Sequence, residues 1–190
     1  MNVGVLALQG DFVEHIQMLE RMGIKSKEIR LPCELEGIDA LIMPGGESTT
    51  FAKLAVRWGL MEPIRNFIRN RKPTWGTCAG LIFLAKHIGR EQPTLEMMDI
   101  TVNRNAFGRQ VDSFISPIHI EGIEGGAFEG VFIRAPMIKS VGEGVKIVAK
   151  LEDGTIVAAR QDNMFATSFH PELTKDTRVH QLFVRMITDE

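Results

Sequence analysis

The sequence predicts an α/β protein, a three-layer open sandwich whose central sheet is mostly parallel with some antiparallel additions. Three observations lead there. Val3–Leu8 and Ile38–Met43 are continuous apolar runs, the pattern of strands buried on both faces. Between such runs lie segments with apolar residues at helical spacing, and strands joined by helices imply right-handed crossovers and parallel pairing. In the second half, short β-like runs follow one another with only turn residues between them.

After the Val3–Leu8 strand, Asp11 and Glu14 fit a capping box for a helix with an apolar stripe of Phe12, Ile16, Leu19 and Met22, which Gly23 can end. Ile38–Met43 is the second buried strand and runs into Pro44-Gly45-Gly46-Glu47-Ser48-Thr49-Thr50. There Ser48 or Thr49 would cap a helix carrying Phe51, Leu54, Ala55 and Trp58. Another helix covers Met61–Asn70. The segment Lys72–Gly80 ends one strand and starts a helix over Ala79–His87, with Cys78 at the corner. The later β-like runs are Ile100–Val102, Val111–Ile120, Gly130–Ile133, Val145–Leu151, Thr155–Arg160 and Met164–Phe169, with Glu152-Asp153-Gly154 as a hairpin turn. Lys175–Ile187 is the last helix, with Val179, Leu182, Phe183 and Met186 on one face.

At 190 residues the chain is long enough for one domain that buries roughly 70% of its unfolded surface. No Pro- or Ser-rich linker, low-complexity tract or repeat divides it, so a single domain over 1–190 is expected. A formal net charge of −2 with scattered basic residues gives no field for nucleic acid. No run reaches the roughly 18 apolar residues of a membrane span, and no basic signal-peptide start is present. Cys33 and Cys78 sit in unrelated contexts and are expected to be reduced, which points to the cytoplasm. Cys33 fits a packing residue, and the methionines fit core filler. No Cys/His spacing resembles a zinc site, and neither metal nor cofactor is expected. His15, His87, His119 and His180 fit helix or strand surfaces.

The chemistry gathers around Cys78. Gly76-Thr77-Cys78-Ala79-Gly80 has the form Gly-x-Cys-x-Gly, a nucleophile elbow whose sharp turn pushes the central side chain out at the end of a sheet. Cys78 at a helix start would feel the positive end of the helix dipole, and a histidine in reach would complete its activation. Ser168-Phe169-His170-Pro171-Glu172 offers that histidine and an orienting carboxylate. On one strand, His170 and Glu172 would share a face, and Pro171 would mark a sheet edge or a strand end that leaves the pair accessible. The Gly45-Gly46 loop offers backbone N–H groups, and those of Gly46 and Ala79 are the candidate oxyanion hole. All three segments follow strands, so they would meet at one rim of the sheet.

Taken together, Gly-Thr-Cys-Ala-Gly, Pro-Gly-Gly-Glu-Ser-Thr-Thr and Ser-Phe-His-Pro-Glu-Leu resemble the class I (triad) glutamine amidotransferases, with their flavodoxin-like fold. More narrowly, the chain resembles the family of glutaminase subunits of pyridoxal 5'-phosphate synthases. Leu8-Gln9-Gly10-Asp11 with Glu14-His15, the stretch Arg104–Phe114, and Phe132-Ile133-Arg134-Ala135-Pro136 carry that narrower likeness. The resemblance implies hydrolysis of L-glutamine to L-glutamate and ammonia through a thioester on Cys78, with His170 and Glu172 completing the triad. It also implies substrate contacts from Gly46, Glu47, Ser48, Arg104, Ile133 and Arg134, and a synthase subunit as partner and ammonia acceptor. Two other readings stand beside it. A stand-alone cysteine hydrolase with the same elbow, peptidase or deglycase-like, would not need the Arg104 stretch or Pro-Gly-Gly-Glu-Ser. A non-catalytic binding subunit would fit a chain in which a triad residue had been replaced, and none is.

Overall fold

The computed structural model describes residues 1–104 and 113–188. Through the first half, strands and helices alternate: β1 (Asn2–Leu6), α1 (Phe12–Arg21), β2 (Lys25–Ile29), a 3-10 turn at Pro32–Leu35, β3 (Ala40–Met43), α2 (Ser48–Arg57), α3 (Met61–Arg69), β4 (Thr74–Thr77) and α4 (Ala79–Leu84). Strands then dominate: β5 (Ala85–His87), β6 (Met98–Asn103), β7 (Ser113–Ile120), β8 (Phe128–Ile133), β9 (Met137–Val141), β10 (Lys146–Lys150), β11 (Ile156–Gln161) and β12 (Met164–Thr167). A 3-10 turn at Pro171–Leu173 leads to α5 (Arg178–Thr188).

The main sheet runs in the order β2-β1-β3-β4-β12-β11-β10-β7-β8. Its first four pairings are parallel, and from β12 outward each neighbour is antiparallel. Beside this path, β9 pairs with β11 and β6, and β5 with β6. The predicted mixture of a parallel centre and antiparallel additions is therefore present.

Alternation along β3 shows why three layers form. Leu41 and Met43 pack into a core with Phe51 and Ala55 of α2, Ile64 and Phe67 of α3, and α4. Ala40 and Ile42 point the other way, into a core with Leu19 of α1, Trp75, and Val179 and Phe183 of α5. Successive strand residues face opposite sides, so a fully apolar strand needs a helix layer on each.

Four elements differ from expectation. β2 is a strand although its sequence is Lys-Ser-Lys-Glu-Ile; among the described residues it pairs with β1 alone, at the sheet edge, where a polar strand avoids burial and guards against further pairing. β9 was not foreseen either. The helix after Cys78 stops at Leu84, and Ala85–His87 pairs with β6 instead. β12 ends at Thr167, so His170 and Glu172 leave the sheet altogether. Most of the Arg104–Phe114 stretch, residues 105–112, lies outside the described residues.

The order of the parallel strands reverses direction between β1 and β3. In open α/β sheets that switch point opens a crevice at the carboxyl ends of the strands. The Gln9-Gly10 turn and the Gly45-Gly46 loop line it, and they touch: the Asp11 N–H donates to the Gly45 carbonyl at 3.2 Å.

Candidate active site

The elbow is real in geometry. Cys78 follows β4 with φ 47° and ψ −98°, a backbone conformation that L-residues seldom adopt, and its N–H donates to the Thr167 carbonyl at 2.8 Å. Both flanking glycines are required by space. A Cβ on Gly76 would lie 2.5 Å from the Gly80 backbone, and one on Gly80 would collide with the Met43 carbonyl of β3. Cys78 itself is 7% exposed. The six-residue α4 behind it is a shorter dipole than the predicted helix would have supplied.

His170 and Glu172 come together as predicted, but on a turn. His170 sits one residue before the Pro171–Leu173 3-10 turn, and its Nδ1 lies 2.7 Å from Glu172 Oε1. The expected shared strand face is absent because β12 ends at Thr167; the turn brings the two side chains back onto each other. Nor is the pair accessible, since both residues are at most 5% exposed. The His170 backbone N–H donates to the Val131 carbonyl of β8 at 2.8 Å, which anchors the segment beside that strand.

Asp11 is a site residue that sequence reasoning took for a helix cap. It occupies the N-cap position of α1 without making a side-chain cap hydrogen bond. Its Oδ2 instead lies 3.3 Å from His170 Nδ1. Burial lowers the His170 pKa, but Asp11, Cys78 and Glu172 together raise it far above the ordinary imidazole range. Burial raises the Glu172 pKa and the contact with His170 opposes that rise. Among the described residues, Asp11, His170 and Glu172 bring one donor atom each within 4.8 Å of one another. With Nδ1 engaged by Oε1, this cluster is arranged as a hydrogen-bonded acid–base pair with a second carboxylate beside it. His170 Nε2 is buried and has no hydrogen-bond partner among the described residues, so it is the nitrogen left for Cys78.

His15 and His180 overturn the expectation of surface positions, for both are fully buried. His15 Nε2 stands 3.4 Å from Glu172 Oε2 and 3.2 Å from Thr77 Oγ1, and its Nδ1 lies 3.0 Å from His180 Nε2. Helical spacing held the signal. His15 is four residues before Leu19, and His180 three before Phe183, so each lies on the buried face of its helix. Cys33, expected to pack, is exposed; both cysteines are free thiols.

The residues expected to hold substrate divide into three groups. Gly46 is exposed at φ 143°, with the Gln9 side chain where a Cβ would go. Glu47, rather than Ser48 or Thr49, caps α2: its carboxylate accepts the backbone N–H groups of Thr49 at 3.0 Å and Thr50 at 2.7 Å. A glutamate can reach its own helix's second and third N–H groups, leaving Ser48 as the first helical residue, with its hydroxyl buried and unpartnered among the described residues. Arg104 lies close to this cap. Its Nη1 donates to Gln92 Oε1 at 2.8 Å, and its Nη2 is 3.7 Å from Glu47 Oε1. Gln92 also donates to the Ser48 carbonyl at 3.1 Å, so it ties Arg104 to the α2 start; no motif singled it out. Burial and then Arg90 lower the Arg104 pKa, whereas Glu47 and Cys78 raise it, which places this cation within electrostatic reach of the thiol. Ile133 and Arg134 are exposed at the end of β8, just past the Val131 carbonyl that holds His170. Ala79, the other candidate oxyanion donor, is the first residue of α4.

This arrangement suits attack by a thiol on a carbonyl carbon, with one histidine to move the proton. The chain is similar to known proteins in sequence and in fold. Residues 5–189 match the family model described as the SNO glutamine amidotransferase family. A protein of Dehalococcoides mccartyi named pyridoxal 5'-phosphate synthase subunit PdxT is 53% identical over 192 residues, covering 100% of this chain and 98% of that protein. A protein of the same name from Herpetosiphon aurantiacus is 55% identical over 188 residues, covering 97% of this chain and 99% of its own. Among solved structures, one described as a glutamine amidotransferase superposes with a TM-score of 0.93 at 50% identity, covering 98% of each chain. A chain in the structure of PurLQS from Thermotoga maritima shares the fold at a TM-score of 0.72 and 16% identity, covering 97% of each.

Proposed function

The chain belongs to the SNO glutamine amidotransferase family, and from that premise we propose that it hydrolyses L-glutamine to L-glutamate and ammonia as one glutaminase domain. The ammonia passes to a pyridoxal 5'-phosphate synthase subunit, the partner implied by the name its relatives carry. The observation that supports this best is the 2.7 Å contact of His170 Nδ1 with Glu172 Oε1, behind an elbow that presents Cys78.

The steps follow from the atoms. Glu172, accepting a hydrogen bond from Nδ1–H, leaves Nε2 as the basic nitrogen, which takes the Cys78 proton. The thiolate sulfur attacks the side-chain amide carbon of glutamine, and the resulting oxyanion is stabilised by the N–H groups of Ala79 and Gly46, a donor being worth about 3–4 kcal/mol. Protonated Nε2 then gives its proton to the departing nitrogen, releasing ammonia and leaving a γ-glutamyl thioester. Water, deprotonated by Nε2, attacks the thioester carbon; glutamate departs and Cys78 regains its proton. Arg104 is the cation for the substrate α-carboxylate, and the exposed rim residues Gly46, Glu47, Ile133 and Arg134, with the buried Ser48 beside them, complete the contacts. Glu47 contributes through its backbone and by orienting Arg104, since its carboxylate is engaged by Thr49 and Thr50.

Coupling to the synthase has a chemical reason. Ammonia in water is mostly protonated at neutral pH and only the neutral form is nucleophilic, so direct passage avoids its loss. The rim of the Gln9-Gly10 turn, the Gly46 loop and the Cys78 elbow is the docking surface. Docking there would reset the Gly45–Gly46 peptide, whose carbonyl accepts the Asp11 N–H at 3.2 Å and whose glycines rotate at low cost. No described helix is long and apolar enough to cross a membrane, and the free thiols suit a cytoplasmic protein. The test is the initial rate of glutamate formation at saturating glutamine, with the synthase absent and in excess. Activation by the synthase is expected. An unchanged rate, with no complex on ultracentrifugation, would favour a stand-alone hydrolase.

A further inference from the structure

On the Oε2 side of Glu172, three elements converge on one buried polar cluster: His15 from α1, Thr77 from the end of β4 and His180 from α5. We propose that His15 is a positioning residue that holds the triad carboxylate from behind, in a hydrogen-bonded chain running His180–His15–Glu172–His170. This rests on the proposed roles of Cys78, His170 and Glu172 and deepens them.

Glu172 needs a second partner. Oε1 is engaged by His170, while Oε2 is buried and makes no close hydrogen bond to any described residue. An ionised carboxylate oxygen left without a donor in such a place is costly. His15 Nε2 is the nitrogen that faces it, at 3.4 Å. The tautomers can be told apart. With its proton on Nδ1, His15 would turn the Nε2 lone pair toward the lone pairs of Oε2, and His180 would carry its proton on Nδ1, which meets no acceptor among the described residues. With its proton on Nε2, His15 donates to Thr77 Oγ1 at 3.2 Å and brings the same N–H within 3.4 Å of Glu172 Oε2, while its Nδ1 accepts from His180 Nε2–H at 3.0 Å. Only a bare acceptor, His180 Nδ1, is then unpartnered, which is the lesser cost.

The chain needs one proton on each imidazole. Burial, then His180 and His170, hold the His15 pKa well below the ordinary range, and burial lowers His180 to about 3, so both are neutral at physiological pH. Asp11 stands against His170, Glu14, Arg21 and Lys175 line the same cavity as Glu172, and Arg104 lies within electrostatic reach of Cys78. Ring packing fixes the orientation. His15 and His180 each meet Trp75 edge-on, with centroids 5.5 and 4.9 Å away, and Trp75 Nε1 is itself tied to Thr167 Oγ1 at 3.1 Å. Held at both oxygens, Glu172 keeps its grip on Nδ1 and leaves Nε2 free for the thiol.

The test compares His15→Gln with His15→Asn in a Cys33→Ala chain. A glutamine amide reaches the place of Nε2, whereas an asparagine amide reaches only that of Nδ1. Two quantities are read: the pH dependence of Cys78 alkylation by iodoacetamide, and kcat and KM for glutamine with the synthase in excess. His15→Asn is expected to move the alkylation inflection to higher pH than in the parent chain, since a thiol whose imidazole is less well held ionises less readily. It should also lower kcat roughly tenfold, the scale of a lost orienting partner, while KM stays near wild type; His15→Gln should restore most of both. If the asparagine chain does not fold, His15→Met, which fills the space without a donor, carries the same contrast with glutamine. Equal loss in the donor and non-donor variants, or no shift in either, would overturn the positioning role. An inflection that His170→Asn also fails to move would instead overturn the proposed triad itself.

Discussion

Gly45 lies directly against His170, with no room between them for a methyl group. A Cβ there would collide with His170 Cε1 and stand 2.9 Å from both His170 Nδ1 and Asp11 Oδ2. The loop after β3 therefore fixes where the imidazole can sit, and glycine is demanded at this position by the neighbouring ring.

Replacing Gly45 by Ala should displace His170 from Glu172 while costing about 1–3 kcal/mol of stability, the usual range for overpacking. Glutamate formation with synthase present should fall by a larger factor than the melting temperature suggests. Unchanged kcat would show that the ring has space to move.

The strained backbone at Cys78 gives a prediction about stability alone. A residue held at φ 47° costs on the order of 1–3 kcal/mol, and glycine relieves that while loosening the unfolded chain by roughly 1 kcal/mol. Cys78→Gly should thus melt at or above Cys78→Ala, with both unable to form glutamate. A glycine variant clearly less stable than the alanine one would mean that the elbow is relaxed.

Glu47 should make stability depend on acid. Burial, the largest single influence, raises its pKa, but the hydrogen bonds from Thr50 and Thr49 together lower it to about 2. A carboxylate depressed in the fold stabilises fully above its ordinary value near 4.5, and that contribution is lost as the pH falls toward 2. The group is half exposed, so solvent screening reduces what its charge adds. Removing such a cap costs about 0.5–2 kcal/mol. The melting temperatures of wild type and Glu47→Ala should differ most at neutral pH and converge near pH 2; a constant gap would contradict the cap's charge dependence.

Within the triad, His170→Asn should lower kcat by about 10³-fold or more, since it removes proton transfer in both half-reactions. Glu172→Gln should do less, because the carboxylate only orients and supports the imidazole. Single-turnover glutamate release by each variant checks the order, and a reversal would reassign the roles.

Much of this site was legible because motifs state backbone demands directly. Gly76 and Gly80 flank Cys78 because neither position has space for a Cβ, and Pro44-Gly45-Gly46 marks a loop where β3 meets the crevice. Tertiary contacts hid the rest. Asp11 sits where a capping residue would, and only the fold reveals that its carboxylate faces His170. His15 and His180 are far apart in the chain, and a polar residue on a helix reads as exposed until its spacing from Leu19 or Phe183 is counted. β2 was missed because an edge strand can be polar on both faces. Gln92 lies in a loop with no pattern, so its contacts with Ser48 and Arg104 had no signal at all.

The central claim is a covalent glutamyl group on Cys78, and trapping it is the most direct measurement. The chain is mixed with synthase and glutamine, quenched in acid within one turnover, and weighed intact by mass spectrometry with peptide mapping. The account predicts a glutamyl adduct on Cys78 in the wild type, more of it in a variant slowed at thioester hydrolysis, and neither adduct nor glutamate from Cys78→Ala. Glutamate formed by Cys78→Ala, or an adduct mapped to another residue, would contradict it.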